Sequence, residues 1–276
     1  MTKQIDVINI AGLTIGDEYL FETILLQNKE FTKQLIEKFI NVSIEDIEYI
    51  NTEQTQQPGY RKKGVRFDVY IKSQTGVAYI VELQRRDTKE LQKRARYYQA
   101  VSDSNQLSEG KEHRYQDLKD NYVIFICRED IFGLGYYKYS FENTCSEVEG
   151  LKLNDGAHKI FFNTQGTKGN ICEDVKAFLK AIEGKKSDNS FVKELENIAD
   201  EIKNDEIWRE TYMQSLLREQ DTFDRGVEHG IKLGIELVRF KKAIEIAKNL
   251  LQANIPVDEV AAYVELPPEE VASLLF

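Results

Sequence analysis

The segment NYVIFICRED (121–130) carries an apolar run with no polar alternation. Successive side chains of a strand point to opposite faces, so a run that is apolar throughout must be covered on both sides. That requirement excludes a one-faced sheet. Around the run, YYKYSFENTCSEV and HKIFFNT read as further strands, with Asn163 closing the last. DEYLFETILLQNKEFTKQLIEKFI (17–40) and DTKELQKRARYYQAVSDSNQL (87–107) place apolar residues at helical spacing. The first is expected to break near Asn28. The second is expected to start from an N-cap at Asp87 or Thr88, with Glu90 in its first turn. SIEDIEYINTEQ (43–54) reads as a helical turn entering a strand, and QQPGYRKKG (56–64) as a loop. The order predicts an α/β domain built on a central sheet with helices on both faces.

The hairpin RFDVYIKSQTGVAYIVELQR (66–85) raises the functional question. If Gln74-Thr75-Gly76 is a three-residue turn with Gly76 left-handed, Ser73 faces Val77. Counting back then puts Asp68 opposite Glu82, with Gln84 on the same face opposite Arg66. The other face holds Phe67, Val69 and Ile71 against Tyr79, Val81 and Leu83, which reads as core. Opposed side chains in an antiparallel pair have Cβ atoms roughly 4.5–5.5 Å apart, and like charges there destabilise. A proton, an arginine such as Arg66 or Arg94, or a divalent cation could neutralise the pair.

Charge and cysteine content narrow the setting. The net charge of −10 argues against duplex binding by the whole surface. Basic residues are nonetheless concentrated beside the hairpin: Arg61, Lys62, Lys63 and Arg66 before it, and Arg85, Arg86, Lys89, Lys93, Arg94 and Arg96 after it. Cys127, Cys145 and Cys172 are odd in number and lack CxxC spacing, which points to a reducing cytoplasm rather than a disulfide framework or zinc site. MTKQIDVINI has neither a basic n-region nor an apolar h-region, so export is not expected. No apolar run approaches the ~18 residues of a membrane span.

Asp68, a short hairpin, and then Glu82-Leu83-Gln84 resemble the core of the PD-(D/E)XK nuclease superfamily, in its variant with Gln in place of the usual Lys. More narrowly, the chain resembles the Rpn family of recombination-promoting nucleases, the PD-(D/E)XK nuclease family transposases. The likeness includes DEYLFE, RFDVYI, VELQ, KRARYYQ, GKEHRYQDLKDNYVIFI and MQSLLREQ. It implies a restriction-endonuclease-like mixed sheet flanked by helices, acting on DNA with Mg²⁺ or another divalent cation. It further implies that Asp68 and Glu82 are metal ligands, the Leu83 carbonyl a third, and Gln84 the occupant of the lysine position. An amide can orient water or contact phosphate, but it cannot carry positive charge or act as a base. Arg94, with Tyr98 at i+4, is then the best candidate for a relocated cation. Arg66 is a further phosphate-contact candidate. Glu22 sits where superfamily members sometimes place an extra acidic ligand on the first helix.

The expected domains are a nuclease-like domain over 1–166, a helical extension over 167–225 and a helical tail over 226–276. In the tail, Gly226, Gly230 and Gly234 stack on one helix face, followed by Leu237, Phe240, Ile244 and Ala247. That pattern fits a homodimer through the C-terminal helices, or a frayed helix. The acidic last segment, IPVDEVAAYVELPPEEVASLL, suits protein contact better than phosphate contact. The expected function is a Mg²⁺-dependent DNA endonuclease linked to recombination or a mobile element. The alternative, favoured by net acidity and the missing lysine, is a nuclease-fold protein without catalysis that binds or regulates through its tail.

Overall fold

A computed structural model of the chain describes residues 9–49, 67–86, 88–108 and 114–275. Arg61, Lys62, Lys63, Arg66 and Asp87 lie outside the described residues, as does the expected loop at 56–64. Two helices open the fold, α1 (Glu18–Gln27) and α2 (Lys29–Ile40), divided at Asn28 as the sequence predicts. Asp17 caps α1, its carboxylate accepting from Leu20 N at 3.1 Å. The strands are β1 (Ile47–Tyr49), β2 (Val69–Ser73), β3 (Ala78–Gln84), β4 (Asn121–Cys127), β5 (Lys138–Phe141) and β6 (Ala157–Asn163). They form one sheet in the order β1-β2-β3-β4-β6-β5.

The strand NYVIFIC is β4, flanked by β3 and β6, both parallel to it. Joining parallel β3 and β4 requires a crossover, and α3 (Leu91–Ser108) supplies it across one face of the sheet. This helix begins later than its sequence suggests. Lys89 adopts a left-handed φ of 61°, so the chain turns before Leu91 and Thr88 cannot be the N-cap. Likewise, the expected helical turn before β1 does not form.

Both faces of the sheet are buried. On the α3 side, Tyr70, Ile80, Val123, Phe125 and Phe161 meet Leu91, Ala95, Tyr98 and Val101. Phe67, which lies before β2, packs on this side too, its ring 5.2 Å from Tyr70 and 5.0 Å from Tyr98. It therefore leaves the face on which strict alternation placed it. On the opposite side, Phe39 of α2 packs 4.5 Å from Phe162 and 5.6 Å from Phe178. Phe178 belongs to α4 (Glu173–Ile182), and α5 (Ser190–Asn204) stacks its Phe191 on Phe31 at 4.8 Å.

Contacts divide the chain into two compact units, 1–209 and 210–276. The helix α6 (Glu206–Gln252) runs unbroken through position 226. In the second unit, α7 (Val257–Val264) and α8 (Pro268–Ser273) close a small core of Ala247, Val260, Ala261, Val264 and Val271. Ala247 is thus already covered, whereas Phe223, Ile231, Leu237 and Val238 are more than half exposed. A Cβ at Gly226, Gly230 or Gly234 would meet nothing within 4 Å. Among the described residues, no helix is long and apolar enough to cross a membrane.

Truncating Phe39 to alanine should cost about 3–5 kcal/mol, because a fully buried ring leaves a cavity the aromatic cluster cannot close. Urea denaturation followed by the fluorescence of Trp208, the single tryptophan and itself buried, reads that loss.

Candidate active site

The turn between β2 and β3 sets the site. Gly76 has a φ of +88° and donates its N–H to Ser73 O at 2.9 Å, while Ser73 N donates to Val77 O at 2.9 Å. The left-handed residue of the turn is thus the glycine, which bears it without a Cβ penalty. From that turn the register runs to Val69 opposite Val81, and the next position places Asp68 across from Glu82. Two hydrogen bonds tie each carboxylate to the opposite strand's backbone. Asp68 N donates to Glu82 Oε1 at 3.0 Å, and Leu83 N–H donates to the Asp68 carboxylate.

The carboxylate-bearing face is roofed by α3. Glu82 is fully buried and Asp68 half-buried. The cation set against the pair is Arg94. Its guanidinium forms an ion pair with Glu82 Oε2, donates from Nη1 to Gln84 Oε1 at 2.8 Å, and donates from Nε to the Tyr98 hydroxyl at 2.8 Å. It also lies 5.2 Å from the Tyr98 ring centre and 5.3 Å from that of Phe125. Asp68, Glu82, Leu83, Gln84, Arg94 and Tyr98 are therefore assembled in one place.

Burial and mutual repulsion shape the charge of the pair. Loss of hydration pushes the Asp68 carboxyl up to about 6, with Glu22 and Glu18 adding repulsion and Arg94 opposing it. Loss of hydration and then Asp68 push Glu82 up to about 8, against the pull of Arg94. The guanidinium lowers both groups, but one positive charge does not offset burial plus the neighbouring carboxylates. Burial also raises the Tyr98 hydroxyl, to about 12, so it stays protonated at neutral pH.

Glu22 is half-buried on α1, and its field reaches Asp68. Glu18, exposed at the start of the same helix, also acts on Asp68, and sequence reasoning missed it. The signal was present, since Glu18 and Glu22 are one helical turn apart on a shared face. Arg85 was also missed as an individual contact. It bridges the end of β3 to the start of α1, pairing with Asp17 at 2.9 Å and Glu18 at 3.5 Å.

Two opposed carboxylates are hard oxygen donors, and water completing the shell would suit Mg²⁺. Among the described residues, no group of three or more His, Cys, Asp or Glu could enclose a metal ion. A divalent ion here would therefore keep several waters, as Mg²⁺ commonly does.

A six-stranded mixed sheet flanked by helices, with Asp68 entering the second strand and Glu82-Leu83-Gln84 ending the third, has the architecture of a restriction-endonuclease-like PD-(D/E)XK fold. A family model described as PD-(D/E)XK nuclease family transposase matches residues 18–222. The chain belongs to that family. No curated protein and no solved structure matches it.

The raised carboxyls make stability depend on pH with a defined sign. The folded chain holds these protons to higher pH than the unfolded chain does. Their contribution is complete below the ordinary carboxylate range and is lost as pH rises through about 6 and then about 8. Metal-free protein should therefore lose melting temperature between about pH 5 and 8. Glu82→Gln should flatten most of that slope, read by thermal melts in chelator across this range.

Proposed function

We propose that the chain is a divalent-metal-dependent DNA endonuclease, with Mg²⁺ the expected cation, linked to recombination or a mobile element. The observation that supports this reading is the Asp68–Glu82 pair, two carboxylates each hydrogen-bonded to the opposite strand's backbone beside Gln84 and Arg94. Asp68 and Glu82 hold the ion, and the Leu83 carbonyl is the third protein ligand. Mg²⁺ bound there would activate a water and stabilise the charge that builds on the phosphate. Gln84 presents an amide that can orient water or a phosphate oxygen without carrying charge. Arg94 supplies the positive charge that the family's lysine position lacks here, and Tyr98 positions it. DNA is the substrate, and a reducing cytoplasm suits a chain with no disulfide among its described cysteines.

The second reading is a nuclease-fold protein that binds or regulates without cutting. The Arg94–Glu82 ion pair favours it, because a carboxylate occupied by a guanidinium is not open to a metal. Plasmid nicking separates the two. The first reading predicts Mg²⁺-dependent nicking that falls by roughly a hundredfold or more in Glu82→Ala and in Asp68→Asn. No nicking above the level of Glu82→Ala in any divalent metal would leave the second.

The exposed stripe on α6 also calls for a partner, and we take that partner to be a second copy. An isolated helix with Phe223, Ile231, Leu237 and Val238 in water gains stability when a symmetric mate covers them, and Gly230 and Gly234 let two backbones approach. A dimer would present two sites to the two strands of a duplex. Sedimentation of the intact chain should show a dimer, weakened by Gly230→Leu and lost when residues from about 222 onward are removed. A concentration-independent monomer for the intact chain would end this reading.

A further inference from the structure

We propose that Arg94 is a resident stand-in for the metal, which neutralises Glu82 until a divalent cation arrives and then turns to the phosphate of the DNA. The inference rests on the nuclease reading and deepens it by giving the site an order of binding. Three features of the pocket carry it.

The first is what the guanidinium touches. Its three nitrogens go to Glu82, Gln84 and Tyr98, the first two in the Glu-Leu-Gln strand end where a bound ion would be held. A cation occupying those oxygens and a metal ion claiming Glu82 exclude each other.

The second is exposure. The Glu82 side chain is 1% exposed, whereas that of Arg94 is 30% exposed. The guanidinium thus reaches from a buried carboxylate to solvent, so it can swing towards water, regaining hydration, while the glutamate stays in place. The faces of Tyr98 and Phe125 run alongside it and keep contact with the cation as it shifts.

The third is charge balance. One guanidinium faces two paired acidic side chains, and Glu18 and Glu22 add further negative potential at Asp68. A divalent ion answers both carboxylates at once. Arg94 is then left as a positive charge beside the site with its carboxylate taken, and an incoming phosphodiester is the anion that replaces it. Metal therefore binds before DNA, and an arginine inherits the electrostatic task of the absent lysine.

Calorimetric titration of Mg²⁺ into the full chain tests the exchange without relying on activity. Arg94→Gln should bind Mg²⁺ roughly tenfold or more tightly than wild type, since no cation has to leave before the binding-competent state is reached. The same variant should melt lower in chelator and regain most of that loss in saturating Mg²⁺. Its affinity for a short duplex, measured in Ca²⁺, should fall. Tyr98→Phe keeps the cation but removes one of its anchors, so its Mg²⁺ affinity should also rise, by a smaller factor. Unchanged or weaker Mg²⁺ binding in Arg94→Gln overturns the proposal. Should that variant fail to fold, unchanged binding in Tyr98→Phe overturns it instead. Failure here is distinct from failure of the nuclease reading, which is decided by nicking in Glu82→Ala.

Discussion

Two carboxylates face each other inside a core, and the rest of the site exists to hold them there. At an effective dielectric near 20, two like charges about 5 Å apart repel by roughly 3 kcal/mol, before any cost of dehydration. That is a large part of the stability of an ordinary domain. A chain that needed only packing at Asp68 and Glu82 would place apolar residues there, which replace buried ions at little or no loss. The proposed cation site gives such a pair a reason to persist that packing alone does not.

The fold meets this constraint from three directions. The turn at Gly76 pins the register, so that Asp68 and Glu82 stand opposed rather than one step apart. The crossover α3 roofs the pair and lowers Arg94 onto Glu82, where Phe125 of β4 lies beneath the guanidinium. Meanwhile α1 brings Glu18 and Glu22 close enough to act on Asp68, and Arg85 clamps the start of that helix to the end of β3. Parallel pairing on both sides of β4 explains why these parts come together. It forces the crossover, and the crossover carries the arginine.

Much of this was legible in the sequence, for reasons that can be named. The unalternating run at 121–127 required cover on both faces, and a single glycine in a three-residue turn set the register that opposes the carboxylates. Harder to read was the roof over them. Tyr70 and Ile80 lie on the same face as Asp68 and Glu82, and their apolar character was the sign that this face too is core. Phe67 lies before its strand, so alternation did not govern it. Helix α3 starts at Leu91 because Lys89 is left-handed, a conformation that local propensity gives no reason to expect of a lysine. In the tail, Ala247 continues the apolar spacing of Leu237 and Phe240, yet it faces α7 and α8, contacts that periodicity within one helix cannot reveal.

The central claim is that Asp68 and Glu82 form one cation site whose charge is held in check by protons and Arg94 until metal binds. Proton release on metal binding measures this most directly, because carboxyls raised by burial must give up their protons to become ligands. Mg²⁺ titrations at pH 7 in buffers of different ionisation enthalpy should give binding heats that depend on the buffer, with a net release of protons that disappears in Glu82→Gln. Saturable binding with no buffer dependence, or with the same release in Glu82→Gln, would contradict the account.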